Sequence, residues 1–125
     1  MAKGVLSICM STAYFPPHTG GVEVYTRSIV HELAGRGHEV TVVTCGVGAA
    51  VSHETLDDGV EVLRVPSIDP IGRYPILKRS REASALWAEL EERDFDAIVV
   101  NTRFYPLSLR MLKLAQRKGI RPILI

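Results

Sequence analysis

"VLSICMSTAYFPPHTGGVEVYTRSIVHELAGRGHEVTVVTC", residues 5–45, carries three patterns in succession. Val5 to Met10 is an apolar run of strand length. Residues 14–21 hold two prolines and an adjacent pair of glycines. Val22, Ile29, Val30, Leu33 and Ala34 then recur near helical spacing, until "GRGHE" closes the pattern. There Gly37 can take the left-handed position that ends a helix. "EVTVVTC" follows and is rich in the β-branched residues that suit strands. Strand, loop, helix and strand in this order make one βαβ unit.

The pattern continues outward from that unit. "VSHETLDDGVEVLRVP" (51–66) reads as strand, turn and returning strand, with "DDG" as the turn. "SIDPIGRYP" is a loop broken by two prolines. Ile76 to Arg93 has helical spacing at Leu77, Ala83, Leu86, Trp87 and Leu90. "FDAIVVN" is a strand, Leu107 to Lys118 a helix ended by Gly119, and "IRPILI" a last strand. Strands alternating with helices predict a doubly wound α/β domain, a mostly parallel sheet with helices on both faces and Val5–Met10 near its centre. The continuous apolar runs Ile98–Val100 and Ile123–Ile125 fit strands covered on both sides.

The 125 residues suffice for one domain with its own core. Hydrophobic residues make up 46% and charged residues 23%, a globular composition. The net charge of +1 gives no general electrostatic case for nucleic acid. No stretch has the roughly 20 apolar residues of a membrane span. Cys9 and Cys45 lie inside apolar runs and are expected as buried thiols rather than a disulfide or a metal clip. A reducing, cytoplasmic setting follows as an expectation. The chain stops within an apolar strand, so it is expected to be part of something longer.

In a doubly wound sheet, ligands sit outside the carboxyl ends of the strands. Residues 11–21 leave the first strand there. Pro16 and Pro17 restrict the backbone. Gly20 and Gly21 lack side chains, so their N–H groups can approach a ligand closely. The amino terminus of the following helix brings unpaired donors and partial positive charge, which suits a phosphate or diphosphate. Glu23, in the first turn, can accept a ligand hydroxyl. The loop is neither a G-x-G-x-x-G dinucleotide motif nor a P-loop.

"YFPPHTGGVEVYTRSIVHELAGRGHEVTVVT" resembles the amino-terminal segment of the family 4 glycosyltransferases, retaining enzymes of the GT-B fold. Aromatic–Pro–Pro–x–x–Gly–Gly–x–Glu, an amphipathic helix, Arg–Gly–His–Glu–Val and a Val/Thr-rich strand are present without a gap. The likeness is strongest over residues 5–45, continues through "FDAIVVNTRFYPLSLRMLKLAQRKGIRPILI", and holds only in outline over 46–95. It implies a Rossmann-like acceptor-side domain, residues 1–125, belonging to an enzyme that transfers a sugar from a nucleotide-sugar donor. It implies that Gly20 and Gly21 approach the donor diphosphate, with Tyr14, His18 and Glu23 near the acceptor. The family's nucleotide-sugar domain, with its paired glutamates, has no match here, nor does the histidine that follows the fifth strand. The chain alone is therefore expected to be inactive, with no catalytic residue, metal or cofactor of its own.

Asn101 and Arg103 follow a buried strand at the same edge. Either they face the cleft and contact acceptor or phosphate, or Asn101 caps a turn and Arg103 is solvated. The family's histidine-containing string at this point is missing. His31 and His38 do not have the spacing of a zinc motif. Asp57 and Asp58 read as turn residues. Residues 73–81, with Arg73, Lys78, Arg79 and Arg81, form either a solvated face or a basic amphipathic segment touching the inner face of a membrane; lipid-linked acceptors are common in the family. A different class stays open beside the transferase: a stand-alone flavodoxin-like α/β module that binds a phosphate ligand at loop 14–23.

Overall fold

The computed structural model describes residues 4–15, 21–47, 52–72, 74–102 and 105–125. In chain order the elements are β1 (Ser7–Thr12), α1 (Gly21–Gly35), β2 (Glu39–Val47), β3 (Ser52–Thr55), β4 (Glu61–Ile68), β5 (Ile76–Leu77), α2 (Arg81–Glu92), β6 (Ala97–Val100), α3 (Pro106–Lys118) and β7 (Ile123–Leu124). They build one sheet in the order β3-β4-β2-β1-β6-β7, with β5 attached to β4. β1 pairs in parallel with β2 on one side and β6 on the other. β2–β4 and β6–β7 are also parallel, while β3 and β5 run antiparallel to β4. Counting only the parallel strands β1, β2, β4, β6 and β7, the order is third, second, first, fourth, fifth. That is the Rossmann order; a flavodoxin-like sheet would place the second strand outermost.

Both faces of the central strands are buried because successive side chains point opposite ways. Ile8 and Met10 of β1, Val40 and Val42 of β2, and Val60 and Val62 pack with Val30, Ile29 and Leu33 of α1. Cys9, Val43, Cys45, Leu63 and Val65 pack on the other face with Leu86, Trp87 and Leu90 of α2 and with Leu107, Met111 and Leu114 of α3. The chain thus has two apolar layers, and β-branched residues supply most of the sheet's share.

The helix ends follow local chemistry. Gly37 has φ +91°, and its N–H donates to the Ala34 carbonyl at 3.0 Å. Gly119 has φ +68° and caps α3 through Ala115 and Gln116. A side chain is strained in this region, so both glycines act as stops.

One expectation fails. The segment from Ile76 is not helical until Arg81. Ile76 and Leu77 instead pair with Ile68 and Ser67, and Lys78 N–H donates to the Pro66 carbonyl at 2.9 Å. Ser80 then caps α2, its Oγ accepting from Ala83 N–H at 3.0 Å. The sheet edge offered these residues partners before the cap could start a helix. At the other edge Ile123, Leu124 and Ile125 are about half exposed, at 52%, 49% and 59%.

The "DDG" turn does more than reverse the chain. Asp58 Oδ1 accepts from Val60 N–H at 3.2 Å, and Oδ2 meets Arg27 at 2.8 Å and His31 at 2.7 Å, both on α1. The hairpin is thereby tied to the helix that covers its face. Burial opposes ionisation of Asp58. The hydrogen bonds of His31, Arg27 and Val60 outweigh it and hold the carboxyl at about 2, below its ordinary 3.8. The unfolded chain therefore binds a proton in this window that the folded chain refuses, so stability rises with pH there. This contribution is present above about pH 4 and is lost as pH falls towards about 2. Acid unfolding followed by circular dichroism is expected to start at higher pH than for a chain without such carboxylates. Asp58→Asn should flatten the acid limb and lower stability at neutral pH.

Burial pushes the Cys9 thiol up to about 12 and the Cys45 thiol up to about 11, and neither forms a disulfide. Both should resist a thiol reagent at pH 8 in the native state and react fully in denaturant. Rapid native labelling of Cys9 would contradict its place in the core.

Candidate functional site

Parallel pairing puts the carboxyl ends of β1, β2, β4 and β6 on one edge of the sheet. The order reverses between β1 and β6, and such a switch point leaves a crevice where the two loops diverge. Residues 13–15 follow β1 here, residues 69–75 follow β4, and residues 101–105 follow β6. Helix α1 also begins here.

Three aromatic rings and a carboxylate bridge these loops. Tyr14 meets Tyr105 edge to face, with centroids 6.3 Å apart and planes at 84°. Tyr105 meets Tyr74 at 5.7 Å. The Tyr14 hydroxyl donates to Asp69 Oδ2 at 2.6 Å, and Asp69 Oδ1 accepts from Tyr74 N–H at 3.0 Å. Asp69 therefore shapes its own loop and clasps the loop after β1. Burial first, then the bond to Asp69, holds the Tyr14 phenol above its ordinary pKa, so it remains a proton donor through the neutral range. All three tyrosines are half-buried. Aromatic rings and a carboxylate are thus brought together from three loops at one edge of the sheet.

Behind the rings the strand ends are polar and incompletely satisfied. Ser11 Oγ, Thr44 Oγ1, Thr26 Oγ1 and Asn101 Nδ2 are buried without a hydrogen-bond partner. Ser11 lies on β1, Thr44 on β2, Thr26 on α1, and Asn101 just past β6. A buried donor or acceptor left unpaired costs about 1–3 kcal/mol. Ser11 has the parity of Cys9 and so faces α2 and α3, while Thr44 has that of Val42 and faces α1, so the unpaired groups lie on both sides of the sheet.

The backbone is also strained here. Thr102 has φ +58°, the only positive value for a non-glycine among the described residues. A β-branched residue avoids this region. It is held from both sides: Thr102 N–H donates to the Ile125 carbonyl at 2.9 Å, and Ser108 Oγ donates to the Thr102 carbonyl at 2.5 Å. Strain of this kind, of order 1–3 kcal/mol, persists where surrounding structure fixes it, and it gathers at functional sites.

The sequence-predicted residues divide as follows. Tyr14 lies in the cluster. Asn101 is buried at the switch point, its backbone N–H donating to the Ser11 carbonyl at 3.1 Å. Its side-chain amide nitrogen is buried without a partner. Gly21 is the first residue of α1, where a backbone N–H has no partner within the helix itself. The backbone of Glu23 lies in the first turn. Gly20, His18 and Arg103 lie outside the described residues. Asp69, Tyr74 and Tyr105 were missed. The signal available was aromatics in proline-bearing loops, "GRYP" and "RFYP", each after a strand.

A cleft of about 590 Å³ occupies the opposite, amino edge. Its charges serve the fold. Glu61 pairs with Arg93 and His53, Asp58 with Arg27 and His31, and His38 Nδ1 accepts from Leu6 N–H at 3.1 Å. Among the described residues no cluster of His, Cys, Asp or Glu could hold a metal, and no helix is long and apolar enough to cross a membrane.

The family model described as Glycosyltransferase Family 4 matches residues 19–124. No curated protein matches the chain. The match begins after β1 and takes in every later element from α1 to β7, so the chain belongs to glycosyltransferase family 4.

Proposed function

We propose that the chain is the acceptor-side domain of a retaining hexosyltransferase that draws its sugar from a nucleotide sugar. The observation that carries this reading is the crevice at the β1/β6 switch point. It combines the clustered rings of Tyr14, Tyr74 and Tyr105, a carboxylate, and the amino terminus of α1. The cluster suits a hydroxylated acceptor. Gly21, and Gly20 before it, offer N–H groups to the donor diphosphate, with the dipole of α1 adding favourable charge. Glu23 and His18 border the acceptor, and Asn101 and Arg103 approach it from the loop after β6. No metal enters this scheme, because backbone donors carry the phosphate charge.

The nucleotide and the reacting sugar belong to a second Rossmann-like domain, and transfer requires both. The acceptor is a sugar or a lipid-linked sugar. In the second case the basic residues of segment 73–81 provide peripheral contact with an anionic leaflet. The two buried free thiols support work in a reducing, cytoplasmic compartment.

An acceptor screen by NMR on the chain tests the cluster. Mono- and disaccharides should perturb the Tyr14, Tyr74 and Tyr105 resonances, and Tyr105→Ala should weaken binding about tenfold, the loss of roughly 1.4 kcal/mol of stacking. Nucleotide sugars should bind weakly or not at all. Micromolar binding of a nucleotide sugar to residues 1–125, with no saccharide response, would refute the acceptor-side assignment.

Gly21→Val and Gly20→Val address the diphosphate. In the complete transferase each should cut turnover by about one to four orders of magnitude, as loss of one or two charge-assisted hydrogen bonds at roughly 1.5–3 kcal/mol each implies. Gly21 is helical, so valine there meets no left-handed strain and the fold should survive. Unchanged turnover per folded molecule in both variants would reduce the glycine pair to a turn.

A further inference from the structure

A second cleft, of about 560 Å³, lies between α2 and α3 on the face away from α1. Lys78, Arg79, Arg110, Lys113 and Arg117 contribute five cations to its lining, against one carboxylate, Glu91. Arg110, Lys113 and Arg117 are spaced three and four apart on α3 and so share one side of that helix. Arg117 meets Glu91 only at 3.4 Å, and among the described residues no carboxylate pairs with the other four.

Arg110 is the centre of the cleft. Its guanidinium carbon lies 4.4 Å from the centroid of the Trp87 ring, which fixes the planar group against the cleft wall. Its Nη1 is closed off from solvent and has no hydrogen-bond partner. Burial, and then the neighbouring Arg117, lower the pKa of Arg110, outweighing the opposing pull of Glu91. The amino end of α2, with Ser80, Ala83 and Ser84, lines the same space and adds partial positive charge.

Stacked arginines with free donors match the geometry of phosphate oxygens, and flanking lysines supply charge. The volume falls within the range of small-ligand pockets. We propose that the α2/α3 cleft is a phosphate-binding site. Arg110 grips the phosphate group from its Trp87 platform, and Lys113, Arg117, Lys78 and Arg79 neutralise it. The phosphate comes from a soluble phosphate or phosphate ester, or from a phospholipid headgroup. The proposal does not depend on the function assigned to the crevice.

Trp87 is the chain's single tryptophan, so its fluorescence reports on this cleft alone. The chain is titrated with inorganic phosphate at constant ionic strength. In parallel it is mixed with phosphatidylcholine vesicles with and without phosphatidylglycerol. Arg110→Gln and Lys113→Gln serve as variants, each checked for thermal stability. Lys113 is exposed, so its variant keeps the core even if the loss of Arg110 disturbs Trp87 packing. A saturable change with phosphate, weakened about tenfold by either variant, establishes the site with a soluble ligand. A response confined to phosphatidylglycerol vesicles and lost in both variants establishes it with a headgroup. No saturable response in either arm, or one that both variants leave unchanged, overturns the proposal.

Discussion

β1 is hydrogen-bonded in parallel on both sides, to β2 and to β6, and that double pairing governs the rest of the molecule. A strand with two parallel neighbours has no open edge and needs both faces covered. α1 covers one face, and α2 with α3 covers the other. Because the partners run the same way, every loop that leaves a carboxyl end emerges on the same side. The convergence of Tyr14, Asp69, Tyr74, Asn101 and Tyr105 is thus a consequence of strand direction before any side chain is considered.

The two edges of the sheet are treated differently. At the amino edge charges neutralise one another: Glu61 with Arg93 and His53, Asp58 with Arg27 and His31. The Arg93 bond is the largest influence holding the Glu61 carboxyl below its ordinary pKa, and that fork ties the end of α2 to the start of β4. At the carboxyl edge, by contrast, buried hydroxyls and an amide nitrogen are left without partners and Thr102 is strained. A fold optimised only for stability would have satisfied these groups, as it did at the other edge. Local departures from good packing belong where binding is to occur.

Much of the fold was legible because its signals are local. β-Branched runs marked β1, β2, β4 and β6, the "DDG" turn marked the β3–β4 hairpin, and Gly37 and Gly119 marked helix ends. The start of α2 was misplaced because β5 owes its existence to the edge of β4, a partner distant from any helical signal. Within the site, Tyr14 and Gly21 were reachable through a continuous motif. Asp69, Tyr74 and Tyr105 sit in the most irregular segments, where spacing carries no information about neighbours.

By itself the sequence determined the βαβ alternation, the helix opened by a glycine pair and the likeness to family 4 glycosyltransferases. All of these reside in short-range periodicity or in one unbroken string of residues. Only the tertiary structure decided that the sheet has the Rossmann rather than the flavodoxin-like order, since both arise from the same alternation of elements. It alone joined Tyr14 to Asp69 across 55 residues and set Arg110 against Trp87. Such contacts depend on which strands become neighbours, and that is settled by burying both faces of one sheet at once, a condition no local window of sequence contains.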